Sequence, residues 1–402
     1  MESLTLAPAN AALRLNGEGP FKLAFVVATF FEFGGMQRDM LRIARACARL
    51  GHQIHIFTGA WDAPPEASLS IHELPIRALS NHGSNDRLTR ELHKAVTAAG
   101  DFDCVVGFNK LPGLDVYYAG DPCFAARIAR EKPWILRMLP RYRAYCRQEA
   151  AVFKAGGDTE ILLIAHGEAA YFKRHYGTEA ERFHLLPPGL NLDRLKAHIP
   201  DTENQQSLRE EFRLGADGLM ILNVGSRFRT KGVDRMVRAL AALPEVLRGR
   251  SALVVVGADD ATPYQRLAYK LGIADRVFFP GPREDVARFY YAADALLHPA
   301  YTENTGTTLL EAMACGLPVL TTENCGYSFH VRAAAAGLVC PMPFEQHALD
   351  QLLVQILTAA ERNAWQSNGP AYCARNDLYS LTEKAAAIII ARAARNRHNR
   401  LH

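Results

Sequence analysis

The sequence lacks a hydrophobic run long enough to cross a membrane as a helix. Such a helix needs about 18 apolar residues in succession, and the apolar runs of this 402-residue chain are shorter. Residues 1–20 contain no charged start followed by a long apolar stretch, so they do not resemble a secretion signal. We therefore expect a disordered extension over residues 1–21. We also expect a cytoplasmic protein whose only membrane attachment would be peripheral.

The sequence also lacks the patterns that indicate several other classes of protein. None of its eight cysteines forms a Cys-x-x-Cys pair, so no zinc or thioredoxin-like site is indicated. Reduced thiols of this kind are typical of the cytosol. The formal net charge of +4 is small for this length and does not indicate a nucleic-acid binder. No Asp-x-Asp follows a buried strand where a metal would be needed, and Asp259-Asp260 is more typical of a turn.

What the chain does contain is a repeated order of strands, loops and helices. Leu23 to Ala28 is an apolar run typical of a buried parallel strand, and a glycine-bearing loop follows it. Met40 to Leu50 has helical spacing and stops at Gly51, and His52 to Thr58 alternates as a second strand. This order begins a doubly wound α/β domain.

The same order restarts in the second half of the chain. A proline-rich segment from Leu185 to Gly189 suits a hinge, and Leu219 to Val224 begins a new series of strands and helices. We predict Rossmann-like domains at residues 22–189 and 190–370, followed by a C-terminal helix within residues 371–402. Two such domains facing each other would enclose a cleft, and ligands of these sheets bind at the carboxyl ends of the strands.

One predicted strand end carries an informative polar loop. The segment from His298 to Ala312 runs from a strand through this loop into a helix, with Glu303 in the loop and Glu311 about two turns into the helix. The amides of Thr305 to Thr308 would be unpaired at the helix start and would suit a diphosphate. Carboxylates up to about 12 Å apart could accept hydrogen bonds from sugar hydroxyls and from ribose hydroxyls. The alternative is that both acids are solvated.

A second predicted strand end carries three cations. Arg227, Arg229 and Lys231 follow the strand that ends at Gly225. Fixed cations here would neutralise the charge that develops on a departing nucleoside diphosphate, in place of a divalent metal. A solvated basic loop is the alternative.

These segments resemble the retaining GT-B glycosyltransferases of family 4. The Glu303–Glu311 spacing and the loop ending at Lys231-Gly232 match that broad superfamily, and further segments resemble the lipopolysaccharide core glucosyltransferase I family in particular. The resemblance spans Lys22 to about Lys384. By the same analogy, the Ala-rich helix at the C-terminus would cross back to the first domain. The further segments are Phe33 to Asp39, Asn81 to Gly83, Val106 to Tyr117, Leu186 to Gly189, Lys231 to Arg235 and Leu297 to Tyr301.

The resemblance implies a reaction and a site. It implies transfer of glucose from UDP-glucose to a heptose of the lipopolysaccharide inner core, with retention of configuration and without a metal or other cofactor. Glu303 would bind the sugar hydroxyls, Glu311 the ribose and Lys231 the diphosphate. The expected donor-binding residues are Gly34, Gly35, Gly225, Arg227, Arg229, Lys231, Arg283, Glu303, Thr305, Gly306, Thr307 and Glu311.

The resemblance also implies an acceptor side in the first domain. Asp39 and Asp121 match acids that the family directs toward the acceptor or the reacting sugar, so we count them with Lys231 and Glu303 as catalytic. Asn109 and Lys110, at a predicted strand end, would bind an anionic acceptor. Each has a plainer alternative, because Asp39 would suit an ordinary first-turn acid, Asp121 a turn before proline, and Asn109-Lys110 a solvated loop.

The sequence departs from the family pattern at two loops. Ser226 and Thr230 stand where relatives often have arginine, so Arg227 or Arg229 would have to supply that charge. Asn304-Thr305 replaces two alanines of some relatives. These departures leave open another nucleotide sugar or another lipid-linked acceptor.

The segment from Phe124 to Lys154 is rich in basic and aromatic residues. Such a mixture suits an anionic membrane surface, to which each cation contributes about 1 kcal/mol. Because the family acts on a lipid-anchored acceptor, we expect peripheral attachment to the cytoplasmic face of the inner membrane. The alternatives are a solvated helical face packed on the domain, and nucleic acid, which no motif supports. The basic residues are Arg127, Arg130, Lys132, Arg137, Arg141, Arg143, Arg147 and Lys154.

Two other functional classes fit the sequence less well. A nicotinamide-dependent oxidoreductase would need Gly-x-Gly-x-x-Gly after the first strand and an acid at the end of the second. This chain has Gly34-Gly35 and Thr58 at those places. A hinged sugar receptor would need a secretion signal, which the sequence does not resemble at its start.

Overall fold

The computed structural model describes residues 19–31, 34–64, 66–74, 81–131, 133–192, 195 and 202–402. The chain divides into two units, one running up to Pro187 and rejoined by Ser380–His402, the other Pro188–Tyr379. Most of the predicted extension over residues 1–21 lies outside the described residues. Phe21, its last residue, is instead buried and stacked on His52 with ring centroids 5.2 Å apart. The ordered chain therefore includes residues before Lys22, where the apolar run begins.

The first unit contains a seven-stranded parallel sheet with the order β5-β3-β1-β6-β7-β8-β9. Strands such as Lys22–Val27 and Val116–Ala119 are nearly continuous apolar runs, as expected for a parallel sheet covered on both faces, whereas Gln53–Thr58 and Leu69–Glu73 alternate apolar and polar residues. The short strands β2 and β4 pair separately. The strands are β1 (Lys22–Val27), β2 (Phe30–Phe31), β3 (Gln53–Thr58), β4 (Trp61–Asp62), β5 (Leu69–Glu73), β6 (Cys104–Gly107), β7 (Val116–Ala119), β8 (Glu160–Leu163) and β9 (Phe183–Leu185).

Helices connect these strands. Helix α1 starts at Gly35, five positions before the predicted start at Met40, and buries Met40, Ile43 and Cys47 against the sheet. The helices are α1 (Gly35–Arg49), α2 (Asn81–Ala98), α3 (Phe124–Glu131), α4 (Trp134–Arg137), α5 (Pro140–Phe153) and α6 (Glu168–Tyr176).

The second unit contains a six-stranded parallel sheet with the order β12-β11-β10-β13-β14-β15. The predicted strands at 219–224, 253–257, 277–279, 295–298 and 319–321 are all confirmed, with small shifts at their ends. The strands are β10 (Leu219–Val224), β11 (Ser251–Val256), β12 (Val277–Gly281), β13 (Ala295–His298), β14 (Val319–Thr322) and β15 (Gly337–Cys340). The two middle strands, β10 and β13, are neighbours that pair in parallel. Loops that follow them therefore leave the sheet at the same edge.

Ten α-helices described in the second unit surround this sheet. They are α7 (Thr202–Glu211), α8 (Phe228–Lys231), α9 (Val233–Ala242), α10 (Glu245–Arg250), α11 (Thr262–Lys270), α12 (Val286–Ala292), α13 (Thr307–Ala314), α14 (Ser328–Ala334), α15 (Gln346–Thr358) and α16 (Arg362–Arg375). Pro370, where the predicted domain ends, lies inside α16. The unit continues to Tyr379.

The last helix, α17 (Leu381–Leu401), belongs to the first unit. Its buried face, which includes Ile389 and Ile390, shares a hydrophobic core with β1 and α1. Its outer turns carry arginines that pair with acids of the first unit, as Arg397 does with Asp103. Within the described ranges, no helix has the length and apolar content that a membrane span requires.

Candidate active site

The second unit brings Lys231 and Glu303 into contact. Lys231 ends helix α8 after strand β10, and Glu303 lies in the loop after strand β13. Because β10 and β13 are neighbours, the two loops lie side by side at the carboxyl edge of the sheet. The Lys231 ammonium donates a hydrogen bond to Oε2 of Glu303, and each side chain is only 16% exposed. Two residues predicted to bind the donor therefore form one ion pair.

Glu303 is held in its ionised form. Burial by itself would raise the pKa of Glu303, but the His298 imidazole, 3.6 Å away, and the Lys231 ammonium lower the pKa to about 2. A carboxylate that stays ionised at neutral pH can only accept hydrogen bonds. Glu303 is therefore suited to bind a group with several hydroxyl donors.

The backbone fixes these two loops against each other. The Tyr301 amide donates to the Thr230 carbonyl over 2.8 Å. Nη1 of Arg235, on α9, donates to the Pro299 carbonyl over 3.1 Å. Gly232 approaches so closely that a Cβ there would lie 2.2 Å from the same carbonyl oxygen. Lys231 and Glu303 thus meet on a rigid frame.

Helix α13 begins directly after the Glu303 loop. Gly306 caps it with φ +100°, and a Cβ at this position would lie 2.5 Å from Sγ of Cys325. No side chain caps the helix and its first turn contains no acid. The N–H groups of Thr307 and Thr308 therefore have no partner within the helix, and an anion is favoured there.

Glu311 lies in the same helix, about one turn from its first residue, whereas the prediction placed it about two turns in. The difference arises because the helix starts at Thr307 and the preceding residues form the loop. Tyr290, on α12, donates a hydrogen bond of 2.6 Å to Oε2 of Glu311. This contact orients the carboxylate.

The basic loop before α8 is partly strained. Arg227 adopts φ +61°, a left-handed conformation that is costly for a residue with a side chain and is often found at functional sites. Arg227 and Arg229 are both exposed, and Gly225 directly follows strand β10. Asp259 accepts a hydrogen bond of 2.7 Å from the Phe228 amide, so it holds the first residue of α8.

Arg283 is not brought to the Lys231–Glu303 pair by any described contact. Its Nε and Nη2 atoms donate to the two carboxylate oxygens of Asp285 over 2.9 and 3.0 Å. Its Nη1 lies 3.5 Å from Glu211. The described residues contain no group of three or more His, Cys, Asp or Glu side chains placed to hold a metal.

The first unit carries the predicted glycine loop and Asp39. Phe33 lies outside the described residues, and helix α1 begins at Gly35. A Cβ at Gly34 would lie 2.0 Å from Oε1 of Gln37, whereas a Cβ at Gly35 would meet no atom within 4 Å. The neighbouring Gln37 thus explains why residue 34 has no side chain, and of the two glycines only Gly35 leaves open space.

Asp39 lies beyond the first turn of α1, so it is not the first-turn acid considered from the sequence. Tyr118 donates a hydrogen bond of 2.7 Å to Oδ2 of Asp39. Burial raises the pKa of Asp39 above its ordinary 3.8, although Tyr118 and the nearby Arg42 act in the opposite direction. Asp121 is exposed in the segment after strand β7.

Asn109 and Lys110 both bind groups inside the first unit. Oδ1 of Asn109 accepts a hydrogen bond of 2.6 Å from the Ala28 amide, at the end of β1. The Lys110 ammonium donates to Glu149, whose side chain is completely buried. Neither residue forms the solvated loop considered from the sequence, and the acceptor-binding role of both stays a prediction.

The Phe124 to Lys154 segment forms helices α3, α4 and α5. None of the residues of α4 is buried, and Trp134 and Ile135 are 68% and 62% exposed. Met138, just beyond α4, is 63% exposed. The apolar side chains around α4 therefore do not pack on the domain, which contradicts the packed-face alternative here. Lys132 and the side chain of Glu131 lie outside the described residues.

Three residues of the site have no predicted role. His298 lies beside Glu303, Asn223 lies beside His298, and Tyr290 binds Glu311. His298 falls within a segment that resembles the family. The apolar pattern of its strand, however, does not predict that the histidine at the strand end lies beside Glu303. Tyr290 is distant in sequence from its partner.

Two family models cover most of the chain. Residues 33–194 match the model described as Glycosyltransferase Family 4, and residues 204–371 match Glycosyl transferases group 1. The lipopolysaccharide glucosyltransferase WaaG of Escherichia coli (strain K12) is 42% identical over 369 residues, which cover 91% of this chain and 98% of WaaG. A D-inositol 3-phosphate glycosyltransferase of Xylanimonas cellulosilytica is 29% identical over 329 residues, covering 71% of this chain and 75% of the relative.

Solved structures agree with these sequence relationships. The crystal structure of WaaG superposes with a TM-score of 0.86 at 41% identity, covering 91% of this chain and 99% of WaaG. Anabaena HepE in complex with UDP-glucose superposes with a TM-score of 0.70, covering 92% of this chain and 99% of HepE. At 17% identity, HepE supports the fold alone.

The two parallel-sheet units, each Rossmann-like, are those of the GT-B fold, and the enzyme class is glycosyltransferase. More narrowly, the chain belongs to the lipopolysaccharide core glucosyltransferase family, as its 42% identity to WaaG over nearly the whole of both chains requires. The predicted fold class and family are confirmed.

Proposed function

We propose that this glycosyltransferase moves glucose from UDP-glucose to a heptose of the lipopolysaccharide inner core. The observation that carries the proposal is the Lys231–Glu303 ion pair beside the open N-terminus of α13. The identity to WaaG supports the choice of glucose and of a lipopolysaccharide acceptor.

Each part of the donor has a matching group in the second unit. The Glu303 carboxylate would accept hydrogen bonds from the glucose hydroxyls, and the Glu311 carboxylate would accept them from the ribose. The diphosphate would lie at the first amides of α13, with Lys231 and the exposed Arg227 and Arg229 as cations. We do not assign the diphosphate to Arg283, because Asp285 binds its guanidinium group.

We propose a same-face substitution that retains configuration. The bond between the sugar C1 and the phosphate oxygen breaks, the acceptor oxygen bonds to C1, and the acceptor proton passes to the leaving phosphate oxygen. Positive charge on C1 and negative charge on the phosphate develop together. Lys231 stabilises the phosphate, and a rigid frame holds the reacting atoms in place. This cation would do the work of a divalent metal, so we propose that the reaction needs none.

The acceptor side of the proposal rests on two acids of the first unit. Asp121 is exposed, so it can contact an acceptor hydroxyl. Asp39 is 25% exposed and its orientation is set by Tyr118. We do not carry Asn109 and Lys110 forward, because their polar groups bind Ala28 and Glu149.

We also propose that helices α3 to α5 attach the enzyme to an anionic membrane surface on the cytoplasmic face. Exposed Trp134, Ile135 and Met138 would insert among the lipid headgroups, and the neighbouring arginines would contact their charges. Glu149 does not weaken this basic surface, because it is buried against Lys110.

A donor panel tests the proposed function. Calorimetry with UDP-glucose, UDP-galactose, UDP-N-acetylglucosamine and GDP-mannose should show binding of UDP-glucose in preference to the others. Turnover with core-truncated lipopolysaccharide should follow the same order, should give a product with the donor's anomeric configuration, and should persist in EDTA. Preference for another donor, or for another lipid-linked acceptor, would replace the proposed substrates while leaving the glycosyltransferase class intact.

A further inference from the structure

Strand β13 ends in a buried histidine that the proposed reaction does not use. His298 has no exposed surface. Its Nε2 lies 3.6 Å from Oε2 of Glu303, and its Nδ1 lies 3.4 Å from Nδ2 of Asn223. Asn223 is also completely buried, near the end of the neighbouring strand β10. The imidazole is therefore placed between an amide and a carboxylate.

The hydrogen-bonding capacity of these groups selects one tautomer. One hydrogen of the Asn223 amide is directed to the Leu297 carbonyl over 2.9 Å, and the other is available to Nδ1 of His298. A neutral imidazole has one donor and one acceptor nitrogen. The nitrogen that faces an NH₂ group has to accept, so the ring hydrogen lies on Nε2. That hydrogen faces the ionised Glu303, which can only accept.

The surroundings also keep the imidazole neutral. Burial lowers the pKa of His298, and the Lys231 ammonium acts in the same direction, whereas Glu303 opposes them. Among the residues that the structure describes, these are the charged groups that act on the ring. If the His298 ring were protonated, the Lys231 ammonium would repel the imidazolium. The Nδ1–H of the imidazolium would also be directed at the Asn223 NH₂ group.

We propose that His298, held in its Nε2–H tautomer by Asn223, is a positioning residue that fixes the Glu303 carboxylate for the donor. Lys231 and His298 both approach Oε2 of Glu303, so Oε1 is the oxygen that remains for sugar hydroxyls. The inference rests on the proposed role of Glu303 in donor binding.

The backbone around His298 is held in a way that suits this role. Oγ1 of Thr321, on β14, donates to the His298 carbonyl over 3.0 Å, and Oγ1 of Thr322 donates to the Ala300 carbonyl over the same distance. The backbone at His298 is thus fixed by the sheet at the start of the loop that carries Glu303. A side chain on a strand or helix holds its neighbours more precisely than a side chain on a loop.

Nitrogen NMR of the histidine rings tests the tautomer directly. The protein without donor is labelled with ¹⁵N-histidine, and the His298 signals are assigned by their loss in His298→Gln. We expect a neutral Nε2–H ring at neutral pH. We expect Asn223→Asp, which replaces the NH₂ donor with an acceptor, to give an imidazolium or an Nδ1–H ring. An imidazolium or an Nδ1–H ring in the wild-type protein would overturn the proposal.

Kinetics test the consequence for Glu303. His298→Leu should lower kcat by up to about 100-fold, because a small displacement of a positioned group is costly. His298→Gln keeps an N–H donor, so its kcat should fall less than that of His298→Leu. His330→Gln removes another buried histidine of the same unit and should leave kcat unchanged. A folded His298→Leu protein with wild-type kcat and donor KM would overturn the proposal.

The two tests separate this inference from the proposed function. If His298→Leu does not fold, the NMR result on the wild-type protein decides. If Glu303→Ala retains turnover, the proposed donor site is wrong, even if His298 has the expected tautomer. If Glu303→Ala is inactive but the tautomer is Nδ1–H, only the role of His298 fails.

Discussion

The Lys231 ammonium contacts Oε2 of Glu303 although the two residues are 72 positions apart in the sequence. Both side chains are largely buried, and burying two charges has a desolvation cost that their attraction has to offset. Groups whose pKa is strongly perturbed, as the pKa of Glu303 is, are concentrated at functional sites. A diphosphate beside Lys231 would compete with Glu303 for the ammonium, so donor binding would change the partners of both groups.

Glu311 should determine recognition of the ribose. Glu311→Gln should raise the donor KM by at least about 10-fold, because hydrogen bonds to a charged acceptor contribute about 1.5–3 kcal/mol. Steady-state kinetics with UDP-glucose and with its ribose-deoxy analogues provide the measurement. The analogue that lacks the contacted hydroxyl should be equally poor with both proteins. An unchanged preference for the intact ribose in Glu311→Gln would exclude the contact.

Gly306 should be required for stability as well as for the donor site. Gly306→Ala should lower the free energy of unfolding by about 1–3 kcal/mol, because alanine is strained at a left-handed φ. Its Cβ would also meet Cys325 at 2.5 Å. Denaturant unfolding measures the change.

Gly249→Ala is the matched control for Gly306→Ala. Gly249 lies in helix α10, and a Cβ there would meet no atom within 4 Å. Alanine should therefore stabilise the protein by about 0.5–1 kcal/mol. If the two substitutions change the free energy of unfolding equally, the left-handed conformation of Gly306 is unimportant for stability.

The Lys110–Glu149 pair should stabilise the first unit in a pH-dependent way. Burial opposes ionisation of Glu149, but Lys110 and the amides of Phe124 and Ala125 lower its pKa below the ordinary 4.5. Because the folded pKa is the lower one, this stabilisation is complete above 4.5 and is lost as pH falls through the folded value. Glu149→Gln should cost about 3 kcal/mol at neutral pH, since it leaves Lys110 buried without its partner.

Unfolding experiments at several pH values check this prediction. The difference in free energy of unfolding between wild type and Glu149→Gln should narrow as the pH falls below 4.5, the ordinary pKa of the group. Glu91→Gln, at an exposed pair with Lys94, is the control and should change stability by less than about 0.5 kcal/mol. If the stability difference between wild type and Glu149→Gln widens in acid instead, Glu149 is protonated in the folded protein.

Membrane attachment should depend on the basic helices. Arg141→Glu combined with Arg143→Glu should weaken binding to liposomes with anionic lipid by at least about 30-fold, since each cation contributes about 1 kcal/mol. The binding should also weaken with salt. Reversing Arg266 and Lys270 beside exposed Tyr269, in the second unit, provides a matched control that should bind normally. Equal binding to neutral liposomes would contradict the electrostatic attachment.

The long buried strands were the most predictable part of the fold. Leu219–Val224 and Ala295–His298 appear as continuous apolar runs because both faces of each sheet are covered. Strand β15, Gly337–Cys340, was not predicted, because four residues beginning with glycine give no periodic signal. The start of α1 was placed too late because no side chain caps it.

The site was predictable where a single loop carries its chemistry. The spacing of one segment indicates an anion site beside two acids, because Glu303, Gly306 and Glu311 lie close together in the sequence. Lys110 is different, because its partner Glu149 lies 39 positions away on another helix. The position of His298 beside Glu303 likewise depends on how β13 leaves the sheet, which no local pattern encodes.

The most direct test of the account is turnover by Glu303→Ala. The account predicts that this protein keeps its melting temperature to within a few degrees and binds UDP, but loses transfer of glucose by about 100-fold or more, because the sugar is no longer positioned against its acceptor. A folded Glu303→Ala protein that transfers glucose at a rate close to wild type would contradict it.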